Sequence, residues 1–196
     1  HERGEYVPYT DAELVDLIAD CLTTTPRYVR VNRVIRDIPA GHVVAGSTLS
    51  NLREVVERQL AATGRRSQDI RSREVRGGRV DADTLTLADL VYETRGGTEH
   101  FFSAVTPDDR LAGFLRLSMP SAEARGWHDL DALDAAAIIR EVHVYGPVAP
   151  LQARSAGQAG DAQHVGVGAR LIAAAEACAR ASGYARLAVI SAIGTR

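Results

Sequence analysis

The chain has 196 residues, 45% hydrophobic and 24% charged, the proportions of a water-soluble globular protein with length for one good core or two small ones. No apolar run approaches the ~20 residues that span a bilayer and no signal peptide is evident, so no membrane partner is expected. The formal net charge is −2, but twelve arginines against five acids (Asp37, Glu54, Glu57, Asp69, Glu74) put +7 on residues 27–80 and leave −9 on the rest.

All 23 basic residues are arginine. Their number reads as codon bias, whereas their clustering suggests a segment facing a polyanion. Cys21 and Cys178 are isolated and lack metal-ligand spacing, so small buried thiols in a reducing, cytoplasmic setting are expected. The chain opens at His1, its only methionine is Met119, and it stops at Arg196 just after an apolar strand. An internal piece of a longer protein is therefore expected.

In chain order, Thr10-Asp11-Ala12-Glu13 is a capping box, with Thr10 as N-cap. It opens a helix with Leu14, Leu17, Ile18 and Leu22 on one face, ended before Pro26. Tyr28 to Ile38 is rich in β-branched residues and is expected to be extended, with Arg27, Arg30, Arg33 and Arg36 interleaved. After a loop over 39–48, Ser50 is placed to cap a helix carrying Leu52, Val55, Val56 and Leu60 and closed by Gly64. Arg71 to Arg76 reads as a second basic strand ending at Gly77-Gly78, and 79–84 as a linker.

Antiparallel β structure is predicted next. Asp89–Thr94 and Thr98–Val105 flank a two-residue turn, Gly96-Gly97. The turn Pro107-Asp108-Asp109-Arg110 leads into Leu111–Met119, and 120–135 is a polar, alanine-rich excursion. Ile138 to Tyr145 alternates, with Ile139, Glu141, His143 and Tyr145 assigned to one side and Ile138, Arg140, Val142 and Val144 to the other. After a loop of small residues over 147–162, a helix carries Leu171, Ile172, Ala175, Cys178 and Ala179 at core spacing, with Gly183 as C-cap. Ala185–Ile193 is an apolar strand. This order predicts an α+β fold with a mixed, mostly antiparallel sheet and flanking helices.

The segment Gln163-His164-Val165-Gly166-Val167-Gly168 joins that alternating strand to the alanine-rich helix. Its glycines leave N–H groups bare at a helix N-terminus, where the macrodipole favours a pyrophosphate, and Ala169 and Ala173 are small enough for close approach. The bland alternative is a tight strand-to-helix connection. No third glycine completes the dinucleotide fingerprint. The form Q-x-x-G-x-G resembles the turn of acyl-CoA-dependent acetyltransferases of the GNAT superfamily. That resemblance implies phosphate contacts from Val165 to Ala169, and an Ile138–Tyr145 strand splayed from the next so that its backbone pairs with pantetheine. Glu141 and His143 share a face, and either could act as general base or position water. On spacing alone, a hydrogen-bonded sheet histidine and an arginine-paired glutamate are the favoured readings. In Tyr28 to Pro39, arginines mixed with an aromatic suit phosphate contact and base stacking, against the alternative of a solvated face. A second cluster, Arg65, Arg66, Arg71, Arg73 and Arg76, shifts the balance toward nucleic acid.

Taken together, Gly4-Glu5-Tyr6, Pro8-Tyr9-Thr10, Arg33-Val34-Ile35-Arg36-Asp37-Ile38-Pro39, Asn51-Leu52-Arg53, Arg71-Ser72-Arg73-Glu74, Arg140-Glu141-Val142-His143-Val144-Tyr145-Gly146, Gln163-His164, Ala188-Val189-Ile190-Ser191 and Gly194-Thr195-Arg196 resemble the Elongator catalytic-subunit family, in its order and over nearly the whole chain. The resemblance implies a tRNA wobble-uridine modifying enzyme that joins a radical-SAM barrel to a GNAT-like domain. Acetyl-CoA is used to start carboxymethylation at C5 of uridine. Residues 1–80 would be the end of the radical-SAM region and an arginine-rich tRNA-facing linker. Residues 85–196 would be the acetyl-CoA-binding domain, truncated at its C-terminus.

Carried over by motif, Glu141, Val142, His143, Val144, Gln163, Gly166, Val167, Gly168 and Ala169 would contact acetyl-CoA. Glu141 and His143 are the candidate catalytic residues, and Arg27, Tyr28, Arg30, Arg33, Arg36, Arg71 and Arg73 the tRNA contacts. In the full-length parent, S-adenosylmethionine and a 4Fe–4S cluster are implied, with ligands outside this chain. Elongator-type subunits or a second copy are the implied protein partners. The family's tyrosine pair after Gly-Thr-Arg lies beyond Arg196. Linker cysteines that hold zinc in many bacterial relatives fall near Ser67 and Ser72, so no metal is expected. Two other readings compete: an ordinary GNAT enzyme acting on a protein or small-molecule amine, which leaves the arginines unexplained, and a non-enzymatic RNA-binding fragment, which leaves the glycine turn idle.

Overall fold

The computed structural model describes residues 2–34, 39–76, 80–124, 127–146 and 166–191. The chain divides into two compact units, His1–Arg73 and Glu74–Arg196.

In the first unit, α1 (Asp11–Thr24) starts at the predicted capping box. The Glu13 N–H donates to Thr10 Oγ1 at 3.2 Å, and the Thr10 N–H donates to Glu13 Oε2 at 2.8 Å. The helix ends at Thr25, whose N–H still reaches Cys21 O, one residue before Pro26. Helix α2 (Leu52–Ala62) begins one residue later than expected, because its N-cap is Asn51 and not Ser50. It closes at Gly64 (φ 69°), with the Arg65 N–H donating to Leu60 O at 2.9 Å and the Gly64 N–H to Ala61 O. That bonding pattern requires a left-handed residue and is why glycine stands there. Val15, Ala19 and Leu22 of α1 are buried in one cluster with Leu52, Val56 and Leu60 of α2, each large side chain contributing roughly 1.5–3 kcal/mol.

Both basic segments of this unit depart from the expected extended form. Tyr28–Val34 joins no ladder, and Val31 is held by side chains. Its N–H donates to Asp69 Oδ2 at 3.2 Å and its carbonyl accepts from Arg53 Nη1 at 3.0 Å. Residues 35–38 lie outside the described part. Instead of a strand, Ile70–Arg73 forms a single helical turn, α3. The cause is Asp69, whose carboxylate accepts the N–H groups of Arg71 and Ser72 and turns the chain into a helix.

The second unit is built on one sheet in the order β1-β2-β3-β4-β5: Thr86–Thr94, Gly97–Val105, Leu111–Pro120, Ala136–Val144 and Arg186–Val189. The first four strands pair antiparallel and β5 runs parallel to β4. Helix α4 (Val167–Ala181) makes the crossover between them. This is the mixed α+β arrangement expected from the sequence. The β1–β2 turn sits one residue earlier than predicted, since Thr94 pairs with Gly97 and leaves Arg95-Gly96 as the turn. Gly97 is needed for another reason. At φ 135°, a Cβ there would lie 2.3 Å from Met119 O.

Residues 79–84 do not behave as a free linker where they are described. Val80 and Leu85 are buried, and Arg170 of α4 donates to the carbonyls of Ala82 (2.9 Å) and Leu85 (3.1 Å). Helix α4 buries Val167, Leu171, Ala175 and Ala179, while Ile172, expected in the core, is exposed.

Candidate functional site

Strand β4 carries the residues that matter most, and its register decides where they point. Leu117 of β3 pairs with Ile139, yet the next partner, Arg116, pairs with Glu141, followed by Leu115 with Val142 and Phe114 with His143. Arg140 is the extra residue of a β-bulge. Strict alternation places Ile139, Glu141, His143 and Tyr145 together. The bulge corrects this: Ile139 falls on the Leu115/Leu117 face with Val142 and Val144, and Glu141 and His143 fall on the opposite face with Phe114 and Arg116. Val144 lies beside α4, its Cγ2 being 3.6 Å from where a Cβ on Gly168 would stand. Alternation counts residues, so it cannot register one that is looped out.

On the Phe114 face, Arg116 Nε donates to Glu141 Oε2 at 2.9 Å. Its guanidinium lies 5.3 Å from the Phe101 ring centroid and 5.4 Å from that of Phe114, within range of cation–π attraction. Next to it the His143 ring lies nearly parallel to Phe114 (5.9 Å between centroids, 18°) and tilted against Tyr145 (4.4 Å, 53°). Phe101 and Phe114 are buried whereas His143 and Glu141 are exposed. The buried carboxylate of Glu99 faces Arg140 Nε at 3.4 Å. Tyr92, opposite Glu99 in the ladder, has its phenol held above the usual range, first by burial and then by the Glu99 charge.

The other edge of β4 pairs with β5 over its first four residues. Its parallel ladder with β5 runs from Ala136–Arg186 to Ile139–Val189 and ends with the Ile190 N–H donating to Ile139 O at 3.0 Å. Beyond that point no described residue continues the ladder along Glu141–Val144. At the start of α4, Gly166 is the N-cap in the left-handed region (φ 103°), without a side-chain cap, and the first turn holds no acid. The N–H groups of Val167, Gly168 and Ala169 belong to the first helical turn and lack intrahelical acceptors. The Val167 side chain is buried, so only its backbone is free to contribute. Gln163 and Val165 lie outside the described residues.

The arginines of the first unit separate into two groups. Arg33 and Arg71 are exposed, and Arg27, Tyr28 and Arg30 are half-buried, with Arg27 Nη1 donating to Gln68 Oε1 at 2.8 Å. Arg36 lies outside the described residues. Arg73 corrects the expectation of a tRNA-facing side chain. It is buried and donates to the carbonyls of Gln68 and Arg27 at 3.1 Å each.

A network that the sequence reading missed joins this unit. Arg53 donates to Glu57 Oε1 (2.9 Å), Asp69 Oδ1 (3.0 Å) and Ser72 Oγ (2.8 Å), and Ser67 Oγ donates to Asp69 Oδ1 (2.8 Å). Burial pushes the Asp69 carboxyl up, but hydrogen bonds from Ser72 and Ser67, the Arg53 charge and the Val31 N–H together hold it below the ordinary value. The i,i+4 spacing of Arg53 and Glu57 and the contacts of Asp69 with Ser67, Arg71 and Ser72 are local, whereas those of Asp69 with Arg53 and Val31 join residues far apart in sequence. Arg116 was missed for the same reason, since its partner depends on strand register.

Comparison with known proteins agrees with this architecture. Residues 1–62 match the Radical_SAM C-terminal domain. The chain is 37% identical over 201 residues to Elongator complex protein 3 of Bos taurus, a match covering all of this chain and 36% of that protein. It is also 37% identical over 202 residues to tRNA uridine(34) acetyltransferase of Dehalococcoides mccartyi, covering 42% of that protein. Among solved structures, the archaeal Elp3 of Methanocaldococcus infernus with an N-terminal deletion superposes with a TM-score of 0.76 at 33% identity, over 96% of this chain and 45% of that one. The chain thus spans less than half the length of these relatives. Along its whole length, it is a homologue of one segment of the Elongator complex protein 3 and tRNA uridine(34) acetyltransferase family.

Proposed function

We propose that this chain is the acetyl-CoA-binding and tRNA-facing part of an enzyme that uses acetyl-CoA to start C5 carboxymethylation of the wobble uridine in tRNA. In this reading residues 85–196 are a GNAT-like acetyltransferase domain, and 1–80 are the end of a radical-SAM region and its arginine-rich linker. The observation that carries it is the meeting of the β4 edge beyond its described ladder with a glycine-capped helix N-terminus, at Glu141–Val144 and Gly166–Ala169. An amide-rich arm needs unpaired strand backbone, and a pyrophosphate needs bare N–H groups without a nearby acid. Among the described residues, the β4–β5 ladder stops short of Glu141 and the first turn of α4 holds no acid, which supports the reading. Glu141, Val142, His143 and Val144 would hold the arm, while Val167, Gly168 and Ala169 would hold the phosphates, with Gln163 and Gly166 shaping the turn. Acetyl-CoA supplies an activated acetyl group when bound, and this chain's own residues bind, orient and move protons.

The relatives' printed names support tRNA uridine as the acceptor and Elongator-type subunits as partners. Arg27, Tyr28, Arg30, Arg33, Arg36 and Arg71 are the proposed tRNA contacts; Arg73 is left out because it is buried. S-adenosylmethionine and a 4Fe–4S cluster belong, in this proposal, to parts of the full-length protein outside residues 1–196. The test is acetyl-CoA turnover by the full-length protein with and without tRNA. tRNA-dependent hydrolysis supports the reading. Acetylation of a lysine peptide or small amine that ignores tRNA would replace it with an ordinary GNAT N-acetyltransferase.

A further inference from the structure

We propose that Arg116 is a positioning residue that keeps Glu141 engaged as a carboxylate, leaving proton transfer at this site to His143. The inference rests on the acetyl-CoA reading above and concerns the division of labour between the two residues on the Phe114 face. Three observations carry it. First, the bulge at Arg140 turns Glu141 onto Arg116 instead of onto the α4 face. Second, the Arg116 side chain is only 15% exposed and lies over two phenyl rings. A guanidinium cannot shed its proton, so its carboxylate partner is the group that balances it. A proton placed on Glu141 Oε2 would compete with the Arg116 Nε–H for the same oxygen and break a charge-assisted bond.

Third, His143 is differently placed. Its ring lies nearly parallel to Phe114 and tilted against Tyr145, it is exposed, and its ring nitrogens donate to or accept from no described residue. Two aromatic neighbours restrain the orientation of the ring without engaging its nitrogens. In the proton step, a ring nitrogen of His143 would take a proton from water as its oxygen bonds the acetyl carbonyl carbon; the thioester C–S bond breaks, acetate forms, and the imidazolium returns its proton to the departing thiolate. Glu141, two residues away on the same face and so about 7 Å along the strand, gives up no bond to Arg116. The titratable and charged groups on this face are Glu141 and Tyr145 on β4, Arg116 on β3, Glu99 on β2 and Tyr92 on β1, with the bulged Arg140 reaching Glu99.

The test uses the full-length protein. Without acetyl-CoA, nitrogen-15 NMR should find an Arg116 Nε–H protected from exchange, and Glu141→Gln should abolish that protection. With tRNA and acetyl-CoA, His143→Gln should lower kcat about 100-fold and lose the rise of rate with pH. Glu141→Gln should keep that rise while lowering kcat about tenfold, and Arg116→Met with Glu141→Gln should cost no more than either alone. Acetyl-CoA affinity, measured by calorimetry on each variant, separates a loss of binding from a loss of turnover. Loss of the pH rise in Glu141→Gln but not in His143→Gln would overturn the proposal, as would multiplying effects of the Arg116 and Glu141 changes. If Arg116→Met does not fold, Glu141→Gln, an exposed isosteric change, still decides the matter. Absence of acetyl-CoA binding by the wild type sinks the functional reading instead, and the Nε–H measurement then reports on the ion pair independently.

Discussion

Arg53 Nη2 lies 3.0 Å from Asp69 Oδ1, joining helix α2 to the residue that caps α3. The Asp69 side chain is wholly buried and that of Arg53 is 13% exposed. The same guanidinium reaches the carbonyl of Val31, and the same carboxylate reaches its N–H. One ion pair therefore ties together the arginine-rich first unit, whose described residues form no sheet.

Breaking this pair should be costly. Asp69→Ala leaves Arg53 with Glu57 as its remaining carboxylate and removes the acceptor of the Val31, Arg71 and Ser72 N–H groups, and a buried donor left unsatisfied costs ~1–3 kcal/mol. Chemical denaturation followed by helical circular dichroism would measure it. A loss below about 1 kcal/mol, the range of a surface pair, would show the network to be dispensable.

The same carboxylate predicts a pH dependence. The folded value of Asp69 is depressed below its ordinary 3.8. Its contribution is thus fully present above that value and lost as pH falls through the lower folded one. Unfolding free energy measured from neutral to strongly acidic pH should fall less steeply in Asp69→Asn than in the wild type. Parallel curves would contradict the assignment.

Two glycines at the start of α4 should respond differently. Gly166 is left-handed, so Gly166→Ala strains the turn by about 1–2 kcal/mol although no described residue lies within 4 Å of the new Cβ. Gly166→Glu adds a carboxylate at the proposed pyrophosphate site and should weaken acetyl-CoA binding more than the alanine change does. Gly168→Ala meets Val144 at ordinary contact distance and should be tolerated, whereas a branched Gly168→Val should crowd the β4 edge. Calorimetric titration with acetyl-CoA separates these outcomes, and equal affinity in Gly166→Glu and the wild type would count against the site.

Arginine substitutions should divide by burial. Arg33→Ala and Arg71→Ala remove exposed cations, and each should weaken tRNA binding and reduce the salt slope by about one. Arg73→Ala should instead lower thermal stability, because its guanidinium bonds two backbone carbonyls. Filter binding across a salt series, paired with melting curves, distinguishes them. A salt slope that changes for Arg73 and not for Arg71 would reverse the division.

What could be read from the residues alone was whatever is decided within a few positions of itself. The Thr10–Glu13 cap, the stop before Pro26, the glycine end of α2, the β1–β2 hairpin and the glycine entry to α4 all rest on partners three to five residues away or on backbone angles of a single residue. The Arg140 bulge, the pairing of Asp69 with Arg53 and the burial of Arg73 came only with tertiary structure. Each depends on a partner brought in from elsewhere: β3 for the bulge, Arg53 and Val31 for Asp69, and Arg27 for Arg73. Glu141 and His143 were legible as a pair on one strand face. That Glu141 meets Arg116 while His143 lies beside Phe114 was decided by register, which periodicity does not encode.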